Sequence, residues 1–219
     1  MFHHIFVDGL PANSFMADRL FWSKFFFMNG TFAVCLFFVI SGFSLSIGYL
    51  QSGNDRALAR MAAGRYLRLA VPIFAICAIT YALMNVIPPA AQRPAPLDIF
   101  GNFTPTVRGL LEFSLFSAYV SQSLAGSYNP PLWTMFYEFL GSFIVFATVA
   151  VLRPLHLRTW LLGFLSAILA VYQPFFALFI AGIFIADLFG KIDDPKSRKI
   201  TGAILCGAGL ALSFLPETG

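Results

Sequence analysis

Residues 29–50, NGTFAVCLFFVISGFSLSIGYL, hold no charged side chain. At about 1.5 Å per residue, a helix of that length crosses the ~30 Å hydrocarbon core of a bilayer. Backbone polar groups in lipid must bond within their own segment, so a helix is the form this run takes. Further apolar runs lie at about 69–87, 131–152, 159–172, 174–189 and 200–215. The runs at 159–172 and 174–189 are short for a crossing; they gain a turn, tilt little, or form a re-entrant pair about Gln173-Pro174. The chain is 58% hydrophobic and 11% charged, against about 25% charged in a soluble domain. It lacks the polar atoms to cover a water-facing surface. The expected fold is all-α, a polytopic transmembrane helical bundle of five or six spans, forming a single domain over 1–219.

The charges give the bundle an orientation. The segment 51–68 carries Arg56, Arg60, Arg65 and Arg68 against Asp55. The segment 153–158 carries Arg153, His156 and Arg158, and 190–199 carries Lys191, Lys196, Arg198 and Lys199 with Asp193 and Asp194. Lys and Arg mark cytoplasmic loops. With these three inside, 8–28, 88–130 and the bend near 173 face outward, and the alternation closes without conflict. The first span then runs from outside to inside. The apolar fragment FHHIFV at the start of the chain reads as the last turns of a helix whose first half is absent, and the chain is expected to be incomplete at both ends. The segment 107–124 reads as a partly buried or surface-lying helix in the large outer loop. The three cysteines, Cys35, Cys77 and Cys206, sit in apolar runs with no metal-ligand spacing, so no metal site is expected.

Four groups of residues stand out chemically. Glu138 lies about 10 Å into the third span, where a carboxyl is costly and faces a cavity or a partner. It serves either a structural hydrogen bond or arginine pair, or general acid/base work and the orienting of a base. His3 and His4 stand at a similar depth if the partial helix ends near Asp8; they are either an unremarkable terminal pair or a base beside that carboxyl. Arg65 and Arg68, three apart on one helix face, either hold the loop inside or capture an anion. In LFFVISGFSLS, Gly42 permits close approach of a helix or a ligand chain, while Ser41 and Ser44 bond back to the helix or across it. From the residues alone packing is the favoured account of that stretch, and a reaction centre is the other.

Three segments in order, LFFVISGFSLS, RYLRLAVPIF and PPLWTMFYEFLGS, together resemble the motifs of the acyltransferase-3 family of membrane O-acyltransferases, over about residues 1–150. The resemblance implies an enzyme, an acyltransferase for groups other than amino-acyl groups. It would move an acyl group, often acetyl, from cytoplasmic acyl-CoA to a hydroxyl of a sugar or other acceptor at the outer face. The family's first span carries an arginine and, after ten intervening residues, a histidine essential for transfer. His3 matches that histidine best, His4 is the fallback, and the arginine would lie upstream of Met1. The resemblance implies donor-phosphate contacts for Arg65 and Arg68, an active-site role for Glu138, and a donor channel beside Ser41, Gly42 and Phe43. The family usually has about ten spans, more than this chain holds.

The expected partners are acyl-CoA as donor substrate, with no further cofactor, a carbohydrate or other hydroxyl acceptor of the cell envelope, and the lipid bilayer; no nucleic acid is expected. The expected location is the bacterial inner membrane, crossed several times. Two rival readings use the same residues. A transporter or flippase also needs an intramembrane charge and small residues, and moves solute without consuming acyl-CoA. An inactive acyltransferase fragment inserts normally and releases no CoA.

Overall fold

The computed structural model describes residues 30–86, 103–121 and 127–192, together with 194, 196, 197 and 202. Among these residues every regular element is helical. The order is α1 (Gly30–Ser52), α2 (Asp55–Ala63), α3 (Arg65–Val86) and α4 (Val107–Glu112). A π-helical turn (Phe113–Ser117), α5 (Ala118–Val120) and a 3-10 turn (Pro130–Trp133) follow, then α6 (Thr134–Leu152), α7 (Arg158–Tyr172) and α8 (Pro174–Gly190). Among the described residues, three spans are long and apolar enough to cross a membrane: Phe32–Ser52, Asp55–Val86 and Pro131–Leu152. The protein is an all-α membrane bundle. His3, His4 and, apart from Gly202, the sixth segment at 200–215 lie outside the described residues.

The core forms where α1, α6 and α8 meet. Phe38 is fully buried and stacks on Phe179 with ring centroids 4.9 Å apart, while Phe175 meets Phe38 edge-on at 5.8 Å. The helices approach this closely because glycine faces backbone on both sides. A Cβ on Gly42 would fall on the Phe179 carbonyl, and one on Gly182 would fall on the Val39 carbonyl and the Phe43 amide. Interhelical packing in lipid depends on such small residues, since no hydrophobic force draws helices together there. Gly182→Val is expected to push α1 and α8 apart and to cost about 1–3 kcal/mol or more, as overpacking against an unyielding neighbour does. The measurement is the thermal midpoint in detergent, with Gly163→Ala on α7 as control, because a Cβ there meets only the Phe184 ring at 3.6 Å. Equal midpoints for the two variants would contradict the packing described.

A second core joins α3 to the α4–α5 segment and the start of α6, through Ile73, Cys77, Leu110, Tyr119, Tyr128 and Leu132. Of the helix expected near 107–124, residues 107–120 are helical and partly buried, with a π turn in the middle, and 122–124 lie outside the described residues. The Thr106 side chain caps α4 by accepting from Gly109 N–H at 3.0 Å. The π turn turns Leu115 so that its carbonyl accepts from the Tyr66 hydroxyl at 2.7 Å, tying this segment to the first turn of α3.

The basic segment 51–68 is not a loop. α1 ends at Gly53, whose φ of +64° reverses the chain, and a Cβ at that position would strike the Arg153 guanidinium. Asn54 then caps α2, its side chain accepting from Ala57 N–H. α2 carries one apolar edge, Leu58, Met61 and Ala62, which packs on the core containing Val145, Phe146 and Val149 of α6. The chain thus folds straight back into the bundle. By Arg65 it has climbed ten residues from Asp55, or about 15 Å.

Candidate functional site

That climb decides where Arg65 ends up. Its side chain is 13% exposed and pairs with Glu138 through Nη2 and Oε1, while its Nε donates to the Ser142 hydroxyl at 2.7 Å. Ser142, one helical turn beyond Glu138 on α6, in turn donates to the Glu138 carbonyl. From the other side the Ser41 hydroxyl of α1 donates to the same carboxylate oxygen, Glu138 Oε1, at 2.6 Å. Ser41, Glu138 and Ser142 are all buried. Of the readings open for Glu138, the arginine pair is the one these contacts show, and its partner is Arg65 from the basic segment 51–68. The physical reason is the α2 re-entry, which carries the arginine to mid-bundle.

The cluster leaves one oxygen uncommitted. Glu138 Oε1 accepts from both Arg65 and Ser41, but Glu138 Oε2 is buried and has no hydrogen-bond partner among the described residues. A buried acceptor without a donor is costly, so the place beside it suits an N–H or O–H group. A carboxylate gripped on one oxygen and open on the other can orient a base or bind a hydroxyl.

The remaining expected residues divide. Gly42 is buried and its neighbour is the Phe179 backbone; Phe43 is half-buried, its ring edge-on to Phe189 at 5.8 Å. Ser44 donates to the Ser41 carbonyl at 3.2 Å, and Ser46, fully buried, donates to the Gly42 carbonyl at 2.7 Å, so both bond back to their own helix. Arg68 is exposed on α3 and stands apart from the cluster that holds Arg65.

A second buried carboxylate went unread in the sequence. Asp187, in the apolar run of α8, is 2% exposed. It accepts from the Thr159 hydroxyl at 2.6 Å and pairs with Arg158 Nε at 2.7 Å and Lys191 Nζ at 3.0 Å. The available signal was an aspartate four residues before a lysine on one helix, inside an otherwise apolar stretch.

The three motif segments, on α1, α3 and α6, therefore meet at one buried hydrogen-bonded cluster. The family model described as an acyltransferase domain matches residues 1–216. The chain belongs to the acyltransferase-3 family. It is an integral membrane protein and a membrane acyltransferase in the general sense of that family. No curated protein and no solved structure matches this chain.

Proposed function

We propose that this acyltransferase-3 protein moves an acyl group, acetyl by preference, from cytoplasmic acyl-CoA to a hydroxyl of a cell-surface or exported glycan, across a bacterial inner membrane. The observation that carries the reading is the Ser41–Glu138–Arg65 cluster, which joins the three motif segments at mid-bundle. A reaction between a cytoplasmic donor and an outer acceptor needs its polar groups at that depth.

In the proposed sequence, Arg68, exposed on α3, receives the donor's phosphates, and the thioester arm reaches the Ser41–Glu138 cluster; a channel wall at Gly42 and Phe43 is not part of this reading, because the Phe179 backbone fills the space at Gly42. His3, with His4 as the fallback, takes the proton of the acceptor hydroxyl. The hydroxyl oxygen attacks the thioester carbonyl, the carbon–sulfur bond breaks, and the CoA thiolate leaves and is protonated from solvent. Glu138 Oε2 accepts a hydrogen bond from the histidine or the acceptor. Arg65 keeps Glu138 in place and lends positive charge to the developing oxyanion.

The test is CoA release in proteoliposomes given acetyl-CoA and an oligosaccharide acceptor. Acceptor-dependent thiol release is expected, reduced by about 10²–10⁴-fold in His3→Ala, the usual range for loss of a general base. Solute movement without thiol release would instead identify a transporter. Normal insertion with no release on any acceptor would identify an inactive chain.

A further inference from the structure

Two buried polar atoms in and beside the Arg65–Glu138 pair have no hydrogen-bond partner among the described residues: Glu138 Oε2 and the Tyr119 hydroxyl. Glu138 has a place in the reaction proposed above, and Tyr119 has none. Tyr119 is 3% exposed. Its ring packs on Tyr66 of α3 and on Phe139 of α6, each at 5.4 Å between centroids, and Tyr66 meets Phe139 edge-on at 6.3 Å. Tyr66 follows Arg65 in the chain and Phe139 follows Glu138. The three rings therefore lie beside the ion pair.

The π turn sets the position of Tyr119. Tyr66 commits its own hydroxyl to the Leu115 carbonyl that this turn presents, 2.7 Å away. A π turn holds one residue more than an α turn, so without it Tyr119 would lie about 100° away round the axis. The surroundings are apolar: Tyr119 shares its core with Ala70, Ile73, Cys77, Leu110 and Ala118. A phenylalanine would fill the same space without burying an unmet donor, which costs free energy.

The apolar walls restrict what can meet that hydroxyl. The ligand must bring one polar atom on an otherwise apolar body. A sugar does not fit, because its other hydroxyls would go unpaired against such walls. A short acyl group fits, with one carbonyl oxygen to accept from the phenol. The opposite flank of the pair, where Ser41 comes from α1, has its space at Gly42 filled by the Phe179 backbone.

We propose that the Tyr119 hydroxyl donates a hydrogen bond to the carbonyl oxygen of the acyl-CoA thioester. This rests on the acyl transfer proposed above, and makes Tyr119 a further substrate-binding residue for it. The phenol keeps its proton throughout, and its hydrogen bond strengthens as the carbonyl oxygen gains negative charge during attack. The two unmet atoms then answer to the two halves of one reaction: Glu138 Oε2 accepts on the acceptor side, and Tyr119 donates on the donor side.

The experiment separates donor binding from transfer. Equilibrium dialysis of the detergent-solubilised protein gives Kd for acetyl-CoA and for CoA, which lacks the acyl group. The wild type is expected to hold acetyl-CoA more tightly than CoA. Tyr119→Phe is expected to weaken acetyl-CoA about 2–10-fold, the net worth of one hydrogen bond, with CoA unchanged. Its thermal midpoint is expected to hold or rise, since no partner is stranded. Tyr128→Phe is the control: that hydroxyl donates to the Thr106 carbonyl at 3.1 Å, so the midpoint falls while the preference for acetyl-CoA stays. In proteoliposomes Tyr119→Phe is expected to lower turnover by about 10²-fold, the effect of losing one oxyanion donor. No preference for acetyl-CoA in the wild type overturns the proposal. So does an equal loss of both ligands, or a lower midpoint, in Tyr119→Phe. Full thiol release by Tyr119→Phe also overturns it and leaves the transfer standing. A wild type that prefers acetyl-CoA, loses the preference in Tyr119→Phe and releases no thiol on any acceptor upholds the Tyr119 contact and overturns the transfer.

Discussion

Arg65→Ala is expected to cost about 3–5 kcal/mol, because it strands a buried carboxylate whose guanidinium partner has been removed. Glu138 is 2% exposed and retains only the Ser41 hydroxyl as a side-chain donor once Arg65 is gone. Glu138→Ala strands the guanidinium instead. It costs less, since Arg65 is partly exposed and keeps its bond to Ser142. The pair Arg65→Met with Glu138→Leu removes both charges and replaces them with apolar groups of similar length. Its thermal midpoint is expected to recover most of the loss, as buried ion pairs exchanged for apolar residues commonly do. CoA release is expected to vanish in all three variants. A double variant as unstable as the sum of the two singles would show that Arg65 and Glu138 do not act on each other. A double variant that kept full transfer would remove both from the proposed reaction.

The structure makes this pairing physical; an arginine partner for Glu138 is among the readings of the sequence, but which arginine it is stays hidden for a specific reason. Arg65 sits in a segment with four arginines and one aspartate, and the rule that basic residues stay in the cytoplasm treats such a segment as one object. The segment is two objects. α2 has a single buried edge headed by Leu58, with Arg56 and Arg60 exposed. Gly64 then separates α2 from α3, and Arg65 lies beyond it as the first residue of α3. Average charge cannot tell a solvated arginine from one turned inward. Only the partner can, and Glu138 stands 73 positions away.

Other parts were legible because their physics is local. The apolar runs at 29–50 and 131–152 match α1 and the 3-10 turn with α6 nearly to the residue, since run length alone governs a crossing. Gly42 was readable as a close approach, and what approaches is the Phe179 backbone. The stretch LFFVISGFSLS thus divides its work. Gly42 and Ser46 serve packing and the helix's own backbone, while Ser41 alone points at a chemical group.

Asp187→Ala is the second substitution with a large expected effect, at the base of the α7–α8 hairpin. The carboxylate is buried and receives Thr159, Arg158 and Lys191 together. Arg158 is 26% exposed and Lys191 50%, so the two cations contribute unequally. Lys191→Ala removes a half-solvated partner and is expected to cost under about 1 kcal/mol. Asp187→Ala leaves the Arg158 guanidinium facing Lys191 with no anion between them, and is expected to cost about 3 kcal/mol. Asp187→Asn keeps an acceptor for Thr159 and falls between the two. Hydrogen exchange localises the effect: faster exchange in the first turn of α7 and the last turn of α8, with the Ser41–Glu138 region unchanged. If Lys191→Ala proved as damaging as Asp187→Ala, the half-exposed lysine and not Arg158 would be holding the hairpin closed.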